Sequence, residues 1–260
     1  MKVVILCGGQ GTRMREETEF RPKPLVLVGE RPVLWHIMKL FSHAGLREFV
    51  LCLGYRGNMI KEYFLNYEAM TNDFTICLGK QNSIRYHDEH QEQDFCVSLA
   101  ETGLETMTGG RLKRIMRYID GDTFMLTYGD GLADVDIGAL LAFHRAHGKI
   151  GTVTTVPPVS RFGILDVEGD SRVSKFAEKP VAKGWASAGF FVFNREIFDY
   201  LEGESDDCVL ERGPLEKLAA DGELMAYRHE GFFFAMDTYR EYRYLNELWA
   251  SGKAPWKIWQ

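Results

Sequence analysis

The sequence contains no C-x-x-C pair and no even set of cysteines. Its five, Cys7, Cys52, Cys77, Cys96 and Cys208, lie mostly among apolar neighbours. A disulfide framework is therefore not expected, and the thiols read as small core residues in a reducing compartment. No apolar run is long enough to span a bilayer, and the first residues read as a strand rather than a secretory leader. The expected location is the cytoplasm. An excess of basic charge is also missing: 31 Lys and Arg face 37 Asp and Glu, a net charge of −6. That balance argues against nucleic acid or a membrane surface as a general partner. The clearest basic cluster, Arg111, Lys113, Arg114 and Arg117, is spaced like one solvated face of a helix. Repeats, low-complexity tracts and obvious linkers are absent, and the 260 residues are expected to form one domain.

What is present starts at the front of the chain. An apolar run, Val3 to Leu6, empties into Cys7-Gly8-Gly9-Gln10-Gly11-Thr12-Arg13. Glycines let the backbone approach a ligand closely and turn N–H groups toward anionic oxygens. Arg13 adds a planar, permanently charged fork suited to phosphate. Lys23 follows in a proline-bracketed segment, Arg21-Pro22-Lys23-Pro24. The loop reads as a nucleotide-phosphate cradle or, on the glycines alone, as an ordinary strand-to-helix turn. It is not a dinucleotide fingerprint, because Met14 stands where the third glycine belongs. It is not a P-loop either, because no Lys follows Gly11.

Along the chain, Val33 to Ala44 carries apolar residues at helical spacing after Pro32, with Gly45 at its end. Phe49 to Leu53 reads as a strand and Asn58 as the cap of the next helix. This β-α-β-α rhythm predicts a parallel sheet covered on both faces. The polar stretch from His87 to Asp94 reads as a solvated turn, and His87 and His90 lack the spacing of a metal motif. Thr102 to Arg111 is rich in Thr and Gly and opens a helix. Free amides there suit a polar ligand, and a plain capped helix start is the other reading. The apolar strand Thr123 to Tyr128 runs into Gly129-Asp130-Gly131. Ligands in open α/β sheets bind beyond such strand ends, and the hard oxygens of Asp130 suit Mg2+; a turn aspartate is the alternative. Asp136 reads as the N-cap of a helix from Ile137 to His147. From Ile150 the chain turns β-rich, with strands at Gly151–Val156, Phe162–Val167, Val173–Phe176 and Ala188–Phe193, and with Glu178-Lys179-Pro180 among them. A helix around Leu215 follows, then two strands, Asp237, a final helix and a tryptophan-bearing tail.

Taken in order, Gly-Gly-x-Gly-Thr-Arg, Lys23, Gly129-Asp130, Glu178-Lys179-Pro180 and a late strand ending at Asp237 resemble the sugar-phosphate nucleotidyltransferases over essentially the whole chain. Within that family, LWHIMK, GYRGNMIKEYF, TGLETMTGGRLKR, TYGDGLADVD and GKAPWK resemble the branch that couples CTP to glucose 1-phosphate, an entry to CDP-linked deoxysugars of bacterial surface polysaccharides. Cys7, Gln10 and Leu25 depart from the usual family wording without removing a functional group. The resemblance implies a Rossmann-like three-layer α/β/α fold with a mixed, mainly parallel sheet and a β-rich C-terminal elaboration. Residues 1–149 would be mainly nucleotide-binding, and residues 150–260 mainly sugar-phosphate-binding and concerned with homo-oligomer formation. Arg13, Lys23 and Asp130 would be catalytic, and Asp130 and Asp237 would hold Mg2+. Leu6, Cys7, Gly8, Gly9, Gln10, Gly11, Thr12, Tyr128 and Gly129 would surround the nucleotide, with Thr102, Gly103, Gly109, Gly110 and Arg111 at the base. Glu178, Lys179 and Gly189 would meet the sugar phosphate. The same transfer with dTTP, UTP or GTP, and a non-catalytic nucleotide-sugar sensor, are the competing readings.

Overall fold

A computed structural model describes residues 1–79, 83–158, 163–177, 184–201, 203 and 205–259. Phe162, Glu178, Lys179 and Pro180 lie outside the described residues.

Seven strands form the central sheet: β1 (Lys2–Leu6), β2 (Glu48–Leu53), β3 (Cys96–Glu101), β4 (Thr123–Tyr128), β5 (Gly151–Val156), β6 (Ala186–Asn194) and β7 (Leu224–Arg228). Their spatial order is β7-β5-β6-β4-β1-β2-β3. Only β6 runs against its neighbours β4 and β5; every other pairing is parallel. The reason is legible in β1, where Val3, Val4 and Ile5 are all fully buried. A strand apolar on both faces must be covered on both, the habit of parallel sheets. Side chains alternate accordingly. Val3 and Ile5 enter one core with Met38, Phe41, Phe190 and Trp256, while Val4 and Leu6 enter a second with Leu126, Phe193 and Leu218. The fold is the expected three-layer α/β arrangement.

The helix Val33–His43 lays Leu34, Ile37, Met38 and Phe41 against the first core and ends at Gly45, whose φ of +81° is left-handed. The next helix, Gly57–Leu65, starts earlier than an Asn58 cap would have it. Arg56 takes the N-cap place at φ +50°, and its guanidinium donates to Glu19 O at 2.7 Å, which fixes the turn. The stretch from His87 to Asp94 is not simply solvated. His90 and Glu92 are nearly buried because they are satisfied locally: His90 Nε2 meets Glu68 at 2.9 Å, while Glu92 accepts from Trp35, Lys39 and Tyr67. The C-terminal tail is core. Trp256 and Trp259 pack with Trp249 around the buried ring of His36.

Two short antiparallel pairings position the site. Phe233–Ala235 pairs with Gly131–Ala133, and Met236 N–H donates to Asp130 O at 3.0 Å. Asp237 is thereby set beside Asp130. Ile137–His147 is capped as expected: Asp136 Oδ1 accepts from Ala139 N–H.

Candidate active site

A cavity of about 530 Å3 opens at the carboxyl ends of β1 and β4. Leu6 through Arg13, Lys23, Pro24, Leu104 through Thr108, Arg111, Tyr128, Gly129, Asp130 and Asp237 line it. The glycine loop is its floor. Gly11 turns at φ +63°, and its carbonyl accepts the Thr18 hydroxyl at 2.9 Å. No heavy atom lies within 4 Å of where a Cβ on Gly9 would stand, which leaves that backbone open for a ligand's approach.

One end of the cavity is strongly ionic. Lys23 Nζ lies 2.6 Å from Asp130 Oδ2 and 2.8 Å from Asp237 Oδ1, and Arg13 Nη1 lies 3.2 Å from Asp237 Oδ2. Burial works against the Lys23 ammonium, but the two carboxylates more than offset it and raise its pKa above that of a free lysine. Pro22 and Pro24 brace the short turn Lys23–Leu25 that presents this lysine. Four charges meet here because Asp130 stands two residues beyond the end of β4 and the pairing after it delivers Asp237.

The opposite wall is built from residues 104–108, and Arg111 holds it. This side chain is only 5% exposed, which corrects the solvated face read from the spacing of its cluster. Its guanidinium donates to Leu53 O, Thr102 Oγ1 and Gly103 O through Nη1, and to Gly8 O and Leu104 O through Nη2, at 2.8–3.2 Å. The planar fork thus ties the glycine loop, the end of β2 and the 102–104 turn together. A Cβ on Gly8 would fall 2.1 Å from Arg111 Nη1, so glycine there makes room for the guanidinium.

The amides of Met107, Gly109 and Gly110 at the start of the helix Thr108–Arg114 are not free, contrary to one reading of its sequence. Met107 N–H donates to Asp206 O, and the amides of Gly109 and Gly110 donate to Cys208 O. Arg114 and Asp206 form an ion pair across the same contact. Gly109 and Gly110 pack on residues 206–208 rather than lining the cavity; a Cβ on Gly109 would lie 2.5 Å from Cys208 Sγ. Thr102 and Gly103 stand one layer behind the lining as partners of Arg111.

Tyr128 closes a third side. Its ring fills the space over Gly189, whose φ is +74° and whose Cβ would lie 2.4 Å from the ring. Its hydroxyl donates to Glu211, which also accepts from Thr108 Oγ1 at 2.7 Å. Burial, with Glu211 beside it, raises the Tyr128 pKa well above the ordinary phenol value. Gly189 itself stands behind Tyr128. Leu104 to Thr108, Pro24 and Glu211 were not singled out from sequence. The first five belong to a segment flagged as a whole, whereas Glu211 stands in no motif and its partners lie about a hundred residues earlier.

Residues 2–218 match the family described as nucleotidyl transferase. The chain is 47% identical over 262 residues to the glucose-1-phosphate cytidylyltransferase of Salmonella typhi, and 44% identical over 261 residues to a Bacillus subtilis protein named "Probable glucose-1-phosphate cytidylyltransferase"; each match covers all of both chains. A solved structure of HddC from Yersinia pseudotuberculosis complexed with GMP-PN superposes with a TM-score of 0.70, covering 95% of this chain and 99% of that one. At 21% identity it supports the fold alone. By sequence over nearly its whole length and by fold, the chain belongs to the nucleotidyl transferase family.

Proposed function

We propose that the protein makes CDP-glucose and pyrophosphate from CTP and α-D-glucose 1-phosphate. The observation that carries the reaction type is the convergence of Arg13, Lys23, Asp130 and Asp237 at one end of a cavity large enough for a nucleotide. The full-length likeness to glucose-1-phosphate cytidylyltransferases supplies the two substrates.

In this reading a phosphate oxygen of the sugar phosphate attacks the α-phosphorus of CTP. The P–O bond to the β-phosphate breaks, and pyrophosphate carries its electron pair away. Such chemistry asks mainly for alignment and charge neutralisation. The glycine loop supplies backbone N–H groups to the phosphates, and Arg13 and Lys23 offset the charge that gathers on the departing pyrophosphate. The 104–108 wall, held by Arg111, receives the nucleoside, and Tyr128 borders the sugar side, toward Gly189; Glu178 and Lys179 are assigned to the sugar phosphate by their sequence motif alone.

The site fits a divalent ion such as Mg2+. Asp130 and Asp237 already share one cation, the Lys23 ammonium, between their oxygens, and carboxylate oxygens suit Mg2+. Among the described residues no group of three His, Cys, Asp or Glu side chains is placed to hold a metal ion, so the protein would contribute two carboxylates and the substrate's phosphates would contribute the rest. When bound, the ion would neutralise charge on the reacting phosphates.

The test is pyrophosphate release with CTP, dTTP, UTP and GTP, each against a panel of sugar 1-phosphates. Release with CTP and glucose 1-phosphate well above all other pairs is expected. Preference for another nucleotide would overturn the cytidine reading, and no release with any pair would overturn the transferase reading.

A further inference from the structure

Lys23 is asked for in two places. The transfer reaction needs its ammonium on the phosphates, yet in this structure it is bound between Asp130 and Asp237, with its side chain only 13% exposed. The carboxylates it uses are the ones that would hold a divalent ion. A metal ion on Asp130 and Asp237 and an ammonium within 3 Å of both carboxylates would stand almost in contact, two like charges in a half-buried cleft. They exclude one another.

The charge count sharpens the point. Among the described residues, Arg13 and Lys23 bring two positive charges to this end of the cavity and Asp130 and Asp237 two negative ones, so these four charges sum to zero. A neutral cluster has little attraction for a triphosphate. A divalent ion on the carboxylates would make the same cluster doubly positive and would leave Lys23 without its partners. The exchange needs no backbone movement. Pro22 and Pro24 hold the turn, while the four-carbon stem of lysine swings its charge through several ångströms by rotation alone. Arg13, mostly exposed and paired among the described residues with Asp237 Oδ2, follows by the same kind of rotation.

We propose that Lys23 is the resident cation of the metal-free site, displaced by a divalent ion from Asp130 and Asp237 and by that displacement delivered to the phosphates. The proposal rests on the reading of those two carboxylates as metal ligands. It makes metal and phosphate binding mutually reinforcing: without the ion the catalytic lysine is masked, and with it the lysine is presented.

The experiment uses the full-length, nucleotide-free protein and Mn2+ as the probe. Mn2+ uptake is followed by electron paramagnetic resonance. In parallel, lysines are labelled with a water-soluble amine-reactive ester and read by peptide mass spectrometry, the other lysines serving as internal standards. Lys23 should label slowly without metal and several-fold faster once Mn2+ is bound, with the other lysines unchanged. In D237N it should label fast without metal. Lys23→Met should take up Mn2+ more tightly than wild type; uptake by that variant alone would also support the exchange. Bound Mn2+ with unchanged Lys23 labelling would overturn the exchange and leave the metal ligands and the pyrophosphate-release result standing. Uptake by neither protein would overturn it together with the metal assignment.

Discussion

Arg111→Met separates bracing from every other role that a buried arginine in a nucleotide site could have. The guanidinium makes five hydrogen bonds, four of them to backbone carbonyls of three separate segments. Two of those carbonyls keep other donors: Leu53 O accepts from Thr102 N–H and its hydroxyl, and Gly8 O accepts from Tyr55 N–H. Gly103 O and Leu104 O would lose their donor. An orphaned, partly buried acceptor costs about 1–3 kcal/mol, and the charge-assisted bonds lost at Leu53 and Gly8 would add to that. Methionine recovers some of the difference, because a guanidinium no longer has to be desolvated; burial already draws the Arg111 pKa down. The net expectation is a loss of roughly 3–5 kcal/mol, large against the total stability of about 5–15 kcal/mol of an ordinary domain. Arg111→Lys should fall between, since one ammonium keeps the charge but cannot span the five acceptors. Urea denaturation measures both variants. Because the braced segments include Gly8 and the wall at Leu104, the lysine variant should raise the KM for CTP more than that for glucose 1-phosphate. A methionine variant within 1 kcal/mol of wild type, or a KM change confined to the sugar phosphate, would refute the reasoning.

Three further expectations are independent of it. Burial pushes the His36 pKa down to about 4 from an ordinary value of 6.5, so its contribution to stability is complete above pH 6.5 and is lost as pH falls toward 4. At pH 5 the loss is about 2 kcal/mol, and the urea midpoint of wild type should drop more between pH 7 and pH 5 than that of His36→Gln; equal drops would remove His36 from the account. Asp130→Asn should lower kcat by about 10²-fold or more with little change in stability, and near-normal turnover would remove Asp130 from the reaction. Gly189→Ala combines a left-handed φ of +74° with a Cβ 2.4 Å from the Tyr128 ring. It should cost about 1–3 kcal/mol, seen as a Tm several degrees lower, and should raise the KM for glucose 1-phosphate; an unchanged Tm would show that Tyr128 yields freely.

Most of what was legible in the sequence was local. β4 and β5 run over the residues their patterns indicated, β4 through the apolar run Phe124, Met125 and Leu126 and β5 through β-branched Thr and Val. The glycine loop and Asp130 could be placed at strand ends from such patterns. Where the reading failed, the partner was distant. Arg111 sits in a basic run that looks solvated on any helical wheel, and only the carbonyls of Gly8 and Leu53, 103 and 58 residues away, make its burial favourable. The amides ahead of the Thr108–Arg114 helix looked available until Asp206 and Cys208, about a hundred residues later, supplied their acceptors. His90 and Glu92 looked exposed because their partners, Glu68, Tyr67, Lys39 and Trp35, lie on other elements.

These distant pairings bear on how the chain divides its labour. A split near residue 150 assigns the nucleotide to one half and the sugar phosphate to the other. Yet Asp237 of the later half completes the ionic cluster with Arg13 and Lys23, and Asp206, Cys208 and Glu211 support the wall assigned to the nucleoside. On the proposed assignment, the later half would hold the nucleotide end in shape as well as bordering the sugar phosphate. β5, β6 and β7 extend the same sheet, and Glu211 with residues 206–208 ties the later half to Tyr128 and the 104–108 wall by direct hydrogen bonds.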